Sequence, residues 1–549
     1  MTLPVKSHGL TALGPLHESF ARLAGWRAHG GAALLGAAGS LAFAPFHIMP
    51  LLVLACTGLI WMMDGARAYR RWGRAVFARG WAFGFGFFLV GMHWTAMPFL
   101  VEPERHAIFL FMPLILLPAG MGLIWGAGAA LAGAFWSASP SRIFIFALFF
   151  ALAEWTRGHL FGGFPWNLPG TTWAPGGAIS QLASVGGVYW LTLLTLFAAA
   201  APAAVVDTRE TRGLGARLMP AFFAVAVFVV GWTWGAQRLA AQPTLTDETL
   251  LLMDAGVPQN EKFVDGVGTP LLLRRYLELM RDTPSQPGDI VIWPEGALGS
   301  VLLRADTLES IAAFLGDRAL IAGTARSQPR GGGEYDWYNS LAVLDAESAA
   351  AGIPRSIYDK HRLVPFGELP AAEIIPFGRA MSAILPGAIQ QMARSGFVPG
   401  RGPATIYADG VVPPFVAMIC YEALYPSIAR SAQPRDGADW LLVISNDAWF
   451  GVGMGPAQHY AQNRYRSIET GTPMARVASR GASAVIDSWG REIARGEPAA
   501  GDPERWRSSV LRAPLPEPLQ STPYKRSGDL LFWLSLAIFS MLAFFMWRR

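Results

Sequence analysis

Val416-Ala417-Met418-Ile419-Cys420-Tyr421-Glu422 places a cysteine directly after an apolar run, and Ile290-Val291-Ile292-Trp293-Pro294-Glu295 places a glutamate just beyond another. Short runs that are apolar at every position read as strands buried on both faces. Similar runs lie at Ala319–Ala325, Leu341–Leu344 and Trp440–Ser445, with strand candidates at Thr249–Ala255 and Ala482–Asp487. Between them, Thr269–Arg281 carries a helical stripe at Leu273, Leu277 and Met280, and Met454–Thr470 reads as a helix. Strands alternating with helices predict an α/β domain with a buried sheet over residues 241–505. In such folds reactive groups collect outside the carboxyl ends of strands.

Glu295 and Cys420 stand at such ends, as does Lys360 within Tyr358-Asp359-Lys360-His361-Arg362-Leu363-Val364-Pro365-Phe366-Gly367-Glu368. The three residue types suit acyl chemistry. A thiolate is the nucleophile, a carboxylate can take the thiol proton, and a fixed ammonium can hold the oxyanion that follows. Lysine is scarce here: it occurs only at Lys6, Lys262, Lys360 and Lys525, and every other basic residue is arginine. Each member of the trio also has a structural reading. Cys420 fits a small buried hydrophobe, Lys360 a solvated charged face and Glu295 a loop carboxylate. Spacing by itself leaves both readings open.

The first half is of a different kind. Of 549 residues, 52% are hydrophobic and 15% charged, below the charge content of soluble domains. Apolar runs at 30–47, 49–64, 80–101, 106–136, 142–157, 182–206 and 217–239, with a last one at 529–547, predict about eight membrane helices. Arginines cluster in alternate gaps: Arg67, Arg70, Arg71, Arg74 and Arg79 after the second run, Arg142 after the fourth, and Arg209, Arg212 and Arg217 after the sixth. Arg548 and Arg549 follow the last. By the positive-inside rule both termini face the cytoplasm, and the segment after the odd seventh span lies outside it. The expected division is therefore a membrane part over 1–240, the α/β domain over 241–505, a Pro-rich linker over 506–528 and a final transmembrane helix over 529–549. The net charge of +5 is explained by this topology, so nucleic acid is not an expected partner. Histidines form no metal-ligand cluster and no phosphate-binding loop is present, so neither metal nor cofactor is expected. Cys420 would be the one cysteine outside the membrane part, where an unpaired cysteine is reactive or intermolecular.

Trp293-Pro294-Glu295, the lysine of Tyr358-Asp359-Lys360 and Cys420-Tyr421-Glu422 resemble the Glu–Lys–Cys signature of the nitrilase superfamily. Longer strings resemble the apolipoprotein N-acyltransferase family within it. They are Leu363–Glu368, Ile419–Glu422, Ser445-Asn446-Asp447-Ala448-Trp449-Phe450-Gly451, Gly163-Phe164-Pro165-Trp166, Tyr338-Asn339, and Gly455-Pro456 before Gln458-His459. The resemblance runs over nearly the whole chain. It implies an extracytoplasmic nitrilase-like αββα sandwich on a multi-span helical membrane part. Cys420 matches the nucleophile, Glu295 the general base, Lys360 the oxyanion-holding lysine and Glu368 a second glutamate. Tyr421 and Glu422 flank the nucleophile, while Asn339 and Trp449 match positions near the site. Two places depart from the family pattern: His361-Arg362 after the lysine, and Asp254 where a neutral residue is usual.

The resemblance further implies acyl transfer from a phospholipid, through a cysteine thioester, to the α-amine of a diacylglyceryl-cysteine in apolipoproteins. The chain would act as a monomer in the bacterial inner membrane, with the catalytic part on the periplasmic side. Ile374–Phe397, rich in Ile, Met, Leu and Pro, is a candidate covering loop or ordinary packing. Two rivals stay open: a membrane-anchored amidase using water as acceptor, and a transporter or receptor with an inert domain. Free fatty acid or ammonia as product would mark the first. Absence of any thioester would mark the second.

Overall fold

The computed structural model describes residues 14–101, 103–137, 139–206, 213–257, 268–365, 367–369, 396–432, 437–496 and 508–548. The candidate covering loop lies almost wholly outside them. The chain separates into two compact units. One comprises 1–241, 453–465 and 522–549, and the other 242–452 and 466–521.

The first unit is helical. Each predicted apolar run contains helix, but the spans are fewer than the runs. Among the described residues, five helices are long and apolar enough to cross a membrane: Met49–Ala66, Ala107–Ala134, Ser141–Gly162, Ile179–Val205 and Leu214–Leu239. A sixth is possible if Trp72–Gly91 and His93–Leu100, bent by 49°, count as one. Gly25–Ser40, which overlaps the first run, has only 16 residues, and Leu530–Met546 is short as well. A helix needs roughly 20 residues to cross, which is why runs and spans differ in number.

Two arginines read as loop charges turn out to be buried and to donate to backbone carbonyls, Arg142 at a helix end and Arg79 elsewhere. Arg142 is fully buried and donates to the carbonyls of Ala203 and Val206 at 3.0 and 2.6 Å, where the Ile179–Val205 helix ends. Arg79 lies inside the helix Trp72–Gly91 and donates to the carbonyls of Met62 and Leu23. The last carbonyls of a helix have no partner within it, and a guanidinium is a fitting donor.

The second unit is built on two six-stranded sheets. The strands are β1 (Leu245–Asp254), β2 (Ile290–Trp293), β3 (Ala319–Gly331), β4 (Glu334–Leu344), β5 (Ser356–Asp359), β6 (Thr405–Ala408), β7 (Val412–Ile419), β8 (Trp440–Asn446), β9 (Met474–Ser479), β10 (Ser483–Ile486), β11 (Glu492–Gly496) and β12 (Ser509–Pro516). The sheet orders are β12-β1-β2-β3-β4-β5 and β11-β10-β9-β8-β7-β6. In the first, β1, β2 and β3 are parallel; in the second, β7, β8 and β9 are. One core joins Leu250, Ile292, Ile321 and Val343 of the first sheet to Phe415, Ile419, Leu442 and Val477 of the second. The sheets therefore pack face to face. On the other face of the first sheet, Leu251, Trp293 and Leu320 pack with Tyr276, Met280 and Leu308 from the helices Gly268–Asp282 and Ala305–Leu315. Strands buried on both faces explain the uninterrupted apolar runs.

Part of the stretch read as linker is a strand. Ser509–Pro516 pairs antiparallel with β1, Leu252 opposite Leu511 and Thr249 opposite Pro514. Prolines are tolerated because β12 is an edge strand, with no second neighbour to receive their missing N–H.

Candidate active site

Glu295 follows β2 across Pro294, Lys360 follows β5, and Cys420 follows β7. Asn339, on β4, lies opposite the residue after β5, because Ser340 pairs with Asp359. β2 and β7, each from the parallel part of its own sheet, both end at the site, so their carboxyl ends deliver Glu295 and Cys420 to one place.

Lys360 is 1% exposed. Its ammonium donates to Glu295 Oε1 at 3.2 Å and to Glu368 at 2.9 Å. Asn339 Nδ2 donates to the same two carboxylates, at 2.8 and 2.7 Å. Glu295 Oε2 accepts the backbone N–H of Asn446 at 2.9 Å, and Glu368 Oε2 that of Val364 at 2.9 Å. Burial by itself would lower the lysine, but Glu295 and Glu368 outweigh it and hold the ammonium above the ordinary lysine range. Burial and the charge of Glu295 push the Cys420 thiol up, while Lys360 pulls it down. The net direction is upward, which favours the thiol over the thiolate at Cys420.

Cys420 has φ +51°, in the left-handed region that a residue with a Cβ enters only under strain. The residue follows the last residue of β7 and begins the tight turn Cys420–Leu424, so the strain sits at Cys420 itself.

Glu422 is fully buried and works as a clamp. Its Oε1 accepts Tyr358 Oη at 2.8 Å and the backbone N–H groups of His361 and Arg362 at 2.8 and 3.1 Å, while Oε2 accepts Ile419 N–H at 2.8 Å. One carboxylate thus ties the residues after Lys360 to the residue before Cys420. The departure at His361-Arg362 leaves this intact, because the clamp uses their backbone. Tyr421 is buried against Tyr425, edge to face at 5.3 Å. Trp449 is half-buried in the turn Asp447–Phe450, directly after the Asn446 that reaches Glu295.

The other departure, Asp254, is structural. Its Oδ1 accepts Gly256 N–H and its Oδ2 accepts Arg480 N–H, both at 3.2 Å. Arg480 has φ +59°, and the carboxylate secures that strained turn.

Several supporting residues lay outside the sequence-based set. Asn446 stood within a quoted motif, but its part is played by the backbone. Gly323 of β3 makes room for the glutamate: a Cβ there would lie 2.4 Å from Pro294 O and 2.7 Å from Glu295 Cα. Gly400 does the same for the lysine, since a Cβ would lie 2.1 Å from Asp359 O. Asp359 accepts Ser340 Oγ at 2.7 Å and is gripped twice by Arg326, which fixes the strand end that presents Lys360. Among the described residues no group of His, Cys, Asp or Glu could hold a metal ion.

Residues 35–201 match the family model described as apolipoprotein N-acyltransferase N-terminal domain, and residues 272–501 match carbon-nitrogen hydrolase. The chain is 35% identical over 536 residues to an apolipoprotein N-acyltransferase from Rhodopseudomonas palustris, covering 94% of this chain and 95% of that one. It is 36% identical over 532 residues to one from Caulobacter vibrioides, covering 94% of each. Among solved structures, an amidase mutant from Nesterenkonia sp. AN1, with covalent addition of the acetamide moiety of fluoroacetamide at its active site cysteine, is similar at 16% identity and a TM-score of 0.32. That match covers 53% of this chain and 98% of the amidase. With identity above a third along nearly its entire length, the chain belongs to the apolipoprotein N-acyltransferase family.

Proposed function

We propose that the protein transfers a fatty acyl chain from a phospholipid, through a thioester on Cys420, to the α-amine of a diacylglyceryl-cysteine at the N-terminus of apolipoproteins. The observation that carries this reading is the buried Lys360 bridging Glu295 and Glu368, in a chain whose relatives along nearly its whole length are named apolipoprotein N-acyltransferase.

Glu295 takes the Cys420 proton as sulfur attacks the ester carbonyl. Lys360 and a backbone N–H, that of Tyr421 being well placed in sequence, hold the oxyanion. The tetrahedral intermediate collapses to the thioester, and Glu295 returns the proton to the leaving lysophospholipid alkoxide. The acceptor amine then attacks the thioester, Glu295 removes a proton from it, and the amide forms as Cys420 leaves and regains its proton. This is a ping-pong scheme. Glu368 and Asn339 hold the base and the lysine in register. Glu422 keeps the two strand ends together, and Tyr421 and Trp449 border the nucleophile.

The apolar helices place the work at a bilayer. In this reading that bilayer is the bacterial inner membrane, with residues 241–505 on the periplasmic side, both termini cytoplasmic and the monomer as the working form. Water would compete as acceptor, so a site at the lipid surface favours transfer over hydrolysis.

The test is direct. Protein in membranes is incubated with a phospholipid labelled in its sn-1 acyl chain, digested, and examined for a hydroxylamine-labile acyl group on Cys420. The adduct is expected on wild type, absent in Cys420→Ala and Glu295→Ala, and discharged by a diacylglyceryl peptide to an N-acyl product. Free fatty acid in place of N-acyl peptide would point to hydrolysis. No adduct would remove phospholipid as the donor.

A further inference from the structure

Beyond the reacting groups, β4 carries a second feature on the same face. Side chains of a strand alternate between faces, so Tyr335, Trp337 and Asn339 project to one side. Asn339 is the residue that touches both Glu295 and Glu368. The antiparallel partner β3 sets Ala325 opposite Asn339, Ser327 opposite Trp337 and Pro329 opposite Tyr335. Paired residues share a face. This face therefore runs outward from the catalytic carboxylates with no charged side chain at these six positions.

The reverse face is different. Arg326 stacks over the Tyr338 ring at 4.5 Å and grips Asp359, and Arg330 pairs with Asp336 at 3.5 Å. The charges of the hairpin are thus gathered on the side away from Asn339. On the side that shares the site, Trp337 is 42% and Tyr335 57% exposed. Large aromatic side chains left open to solvent in a row beside an active site need an apolar occupant.

Resting on the acyl-transfer reading above, we propose that Trp337 and Tyr335 form the platform along which the fatty acyl chain of the donor lies, and that they set selectivity for long chains. The absence of charge on this face suits a hydrocarbon tail better than a phosphate head group. The length suits it too. From Asn339 to Tyr335 the strand advances roughly 13 Å, farther than an extended octanoyl chain reaches and less than a palmitoyl chain.

The experiment compares two phospholipids of one head group, carrying a labelled palmitoyl or octanoyl chain, in mixed detergent micelles. The readout is acylation of Cys420 by wild type, Trp337→Ala, Trp337→Phe, Tyr335→Ala and, from the opposite face, Gln328→Ala. Trp337 is largely exposed, so its substitution spares the core. The palmitoyl-to-octanoyl ratio of kcat/KM is expected to fall about tenfold in Trp337→Ala and several-fold in Tyr335→Ala. It should be largely restored in Trp337→Phe and retained in Gln328→Ala. A ratio unchanged in Trp337→Ala, or rates lowered equally for both chains as for a general lipid-surface contact, would overturn the platform while acyl transfer stands. No acyl-Cys420 on wild type with either donor would overturn the transfer reading, and the platform with it.

Discussion

Asn339 divides the two hydrogens of its side-chain amide between two carboxylates, 2.8 Å to Glu295 and 2.7 Å to Glu368. Lys360 spans the same pair from its own strand end. Two like charges so close are tolerable only because an ammonium and an amide are both directed at them. Asn339→Asp would replace the amide donors by a third carboxylate. Single-turnover acylation of Cys420 is expected to fall at least about a hundredfold, or about 2.7 kcal/mol of barrier. Asn339→Ser, which keeps a donor, should lose less. Equal loss in both variants would mean that the amide merely fills space.

Glu295 has two opposed effects on Cys420. In the proposed reaction its carboxylate takes the thiol proton during attack, yet its charge, after burial, is the main influence raising the thiol. Glu295→Gln removes both. The sign follows: without the negative neighbour the thiolate is less disfavoured, so the thiol should ionise at lower pH. Alkylation of Cys420 by iodoacetamide, followed against pH, should rise earlier in Glu295→Gln than in wild type, while acyl transfer is lost by about three orders of magnitude. A later rise would show that Glu295 assists ionisation at rest and would remove the case for a resting thiol.

Glu422 meets four donors with its two oxygens, three at Oε1 and one at Oε2. Glu422→Gln has nearly the same shape but turns an NH2 group toward N–H groups on one side. A buried donor facing a donor costs about 1–3 kcal/mol. We expect a lower midpoint of thermal inactivation in detergent together with at least tenfold slower acylation of Cys420, since the clamp joins the lysine and cysteine strand ends. Slower acylation with an unshifted midpoint would point instead to direct contact with substrate.

The strand ends that carry Glu295, Lys360 and Cys420 were legible because strands buried on both faces leave apolar runs, and a polar residue closing such a run stands out. The family strings then implied the roles proposed for them. Three things were not legible. Asn446 and Val364 act through backbone N–H groups, which any residue but proline presents. Ser509–Pro516 reads as linker because edge strands admit proline and their composition follows. The division of the apolar runs into spans was not legible because hydropathy marks no helix ends: Gly25–Ser40, which overlaps the first run, has only 16 residues, and Leu530–Met546 is short as well.

Gly323 illustrates a constraint that sequence conceals. Its side of β3 faces the turn carrying Glu295, where an added Cβ would fall 2.4 Å from Pro294 O and 2.7 Å from Glu295 Cα. Those are backbone atoms, so the turn itself must move. Gly323→Ala is expected to slow acylation of Cys420 at least tenfold while its alkylation by iodoacetamide stays within about threefold of wild type, because Glu295 shifts and Cys420 does not. Alkylation lost together with acylation would mean that the whole sheet end had been displaced.

In the helical unit, Arg157 and Glu154 form a pair with both side chains fully buried. Arg157 donates to both Glu154 oxygens and to the carbonyl of Phe164, and Trp125 Nε1 donates to Glu154 at 2.6 Å. Phe164 N–H returns a bond to Arg157 O at 2.8 Å, so Gly163-Phe164-Pro165-Trp166 is tied to the helix Ser141–His159 from both sides. Removing one partner strands a charge away from water, which costs about 3–5 kcal/mol, whereas replacing both by apolar residues of similar volume is often neutral. Arg157→Met should therefore lower the midpoint of thermal inactivation in detergent strongly, and Glu154→Leu with Arg157→Met should recover most of the loss. The double variant still lacks the donor to Phe164 O. If that tether matters for turnover, stability returns and acyl transfer does not; if both return together, the pair serves the helix alone.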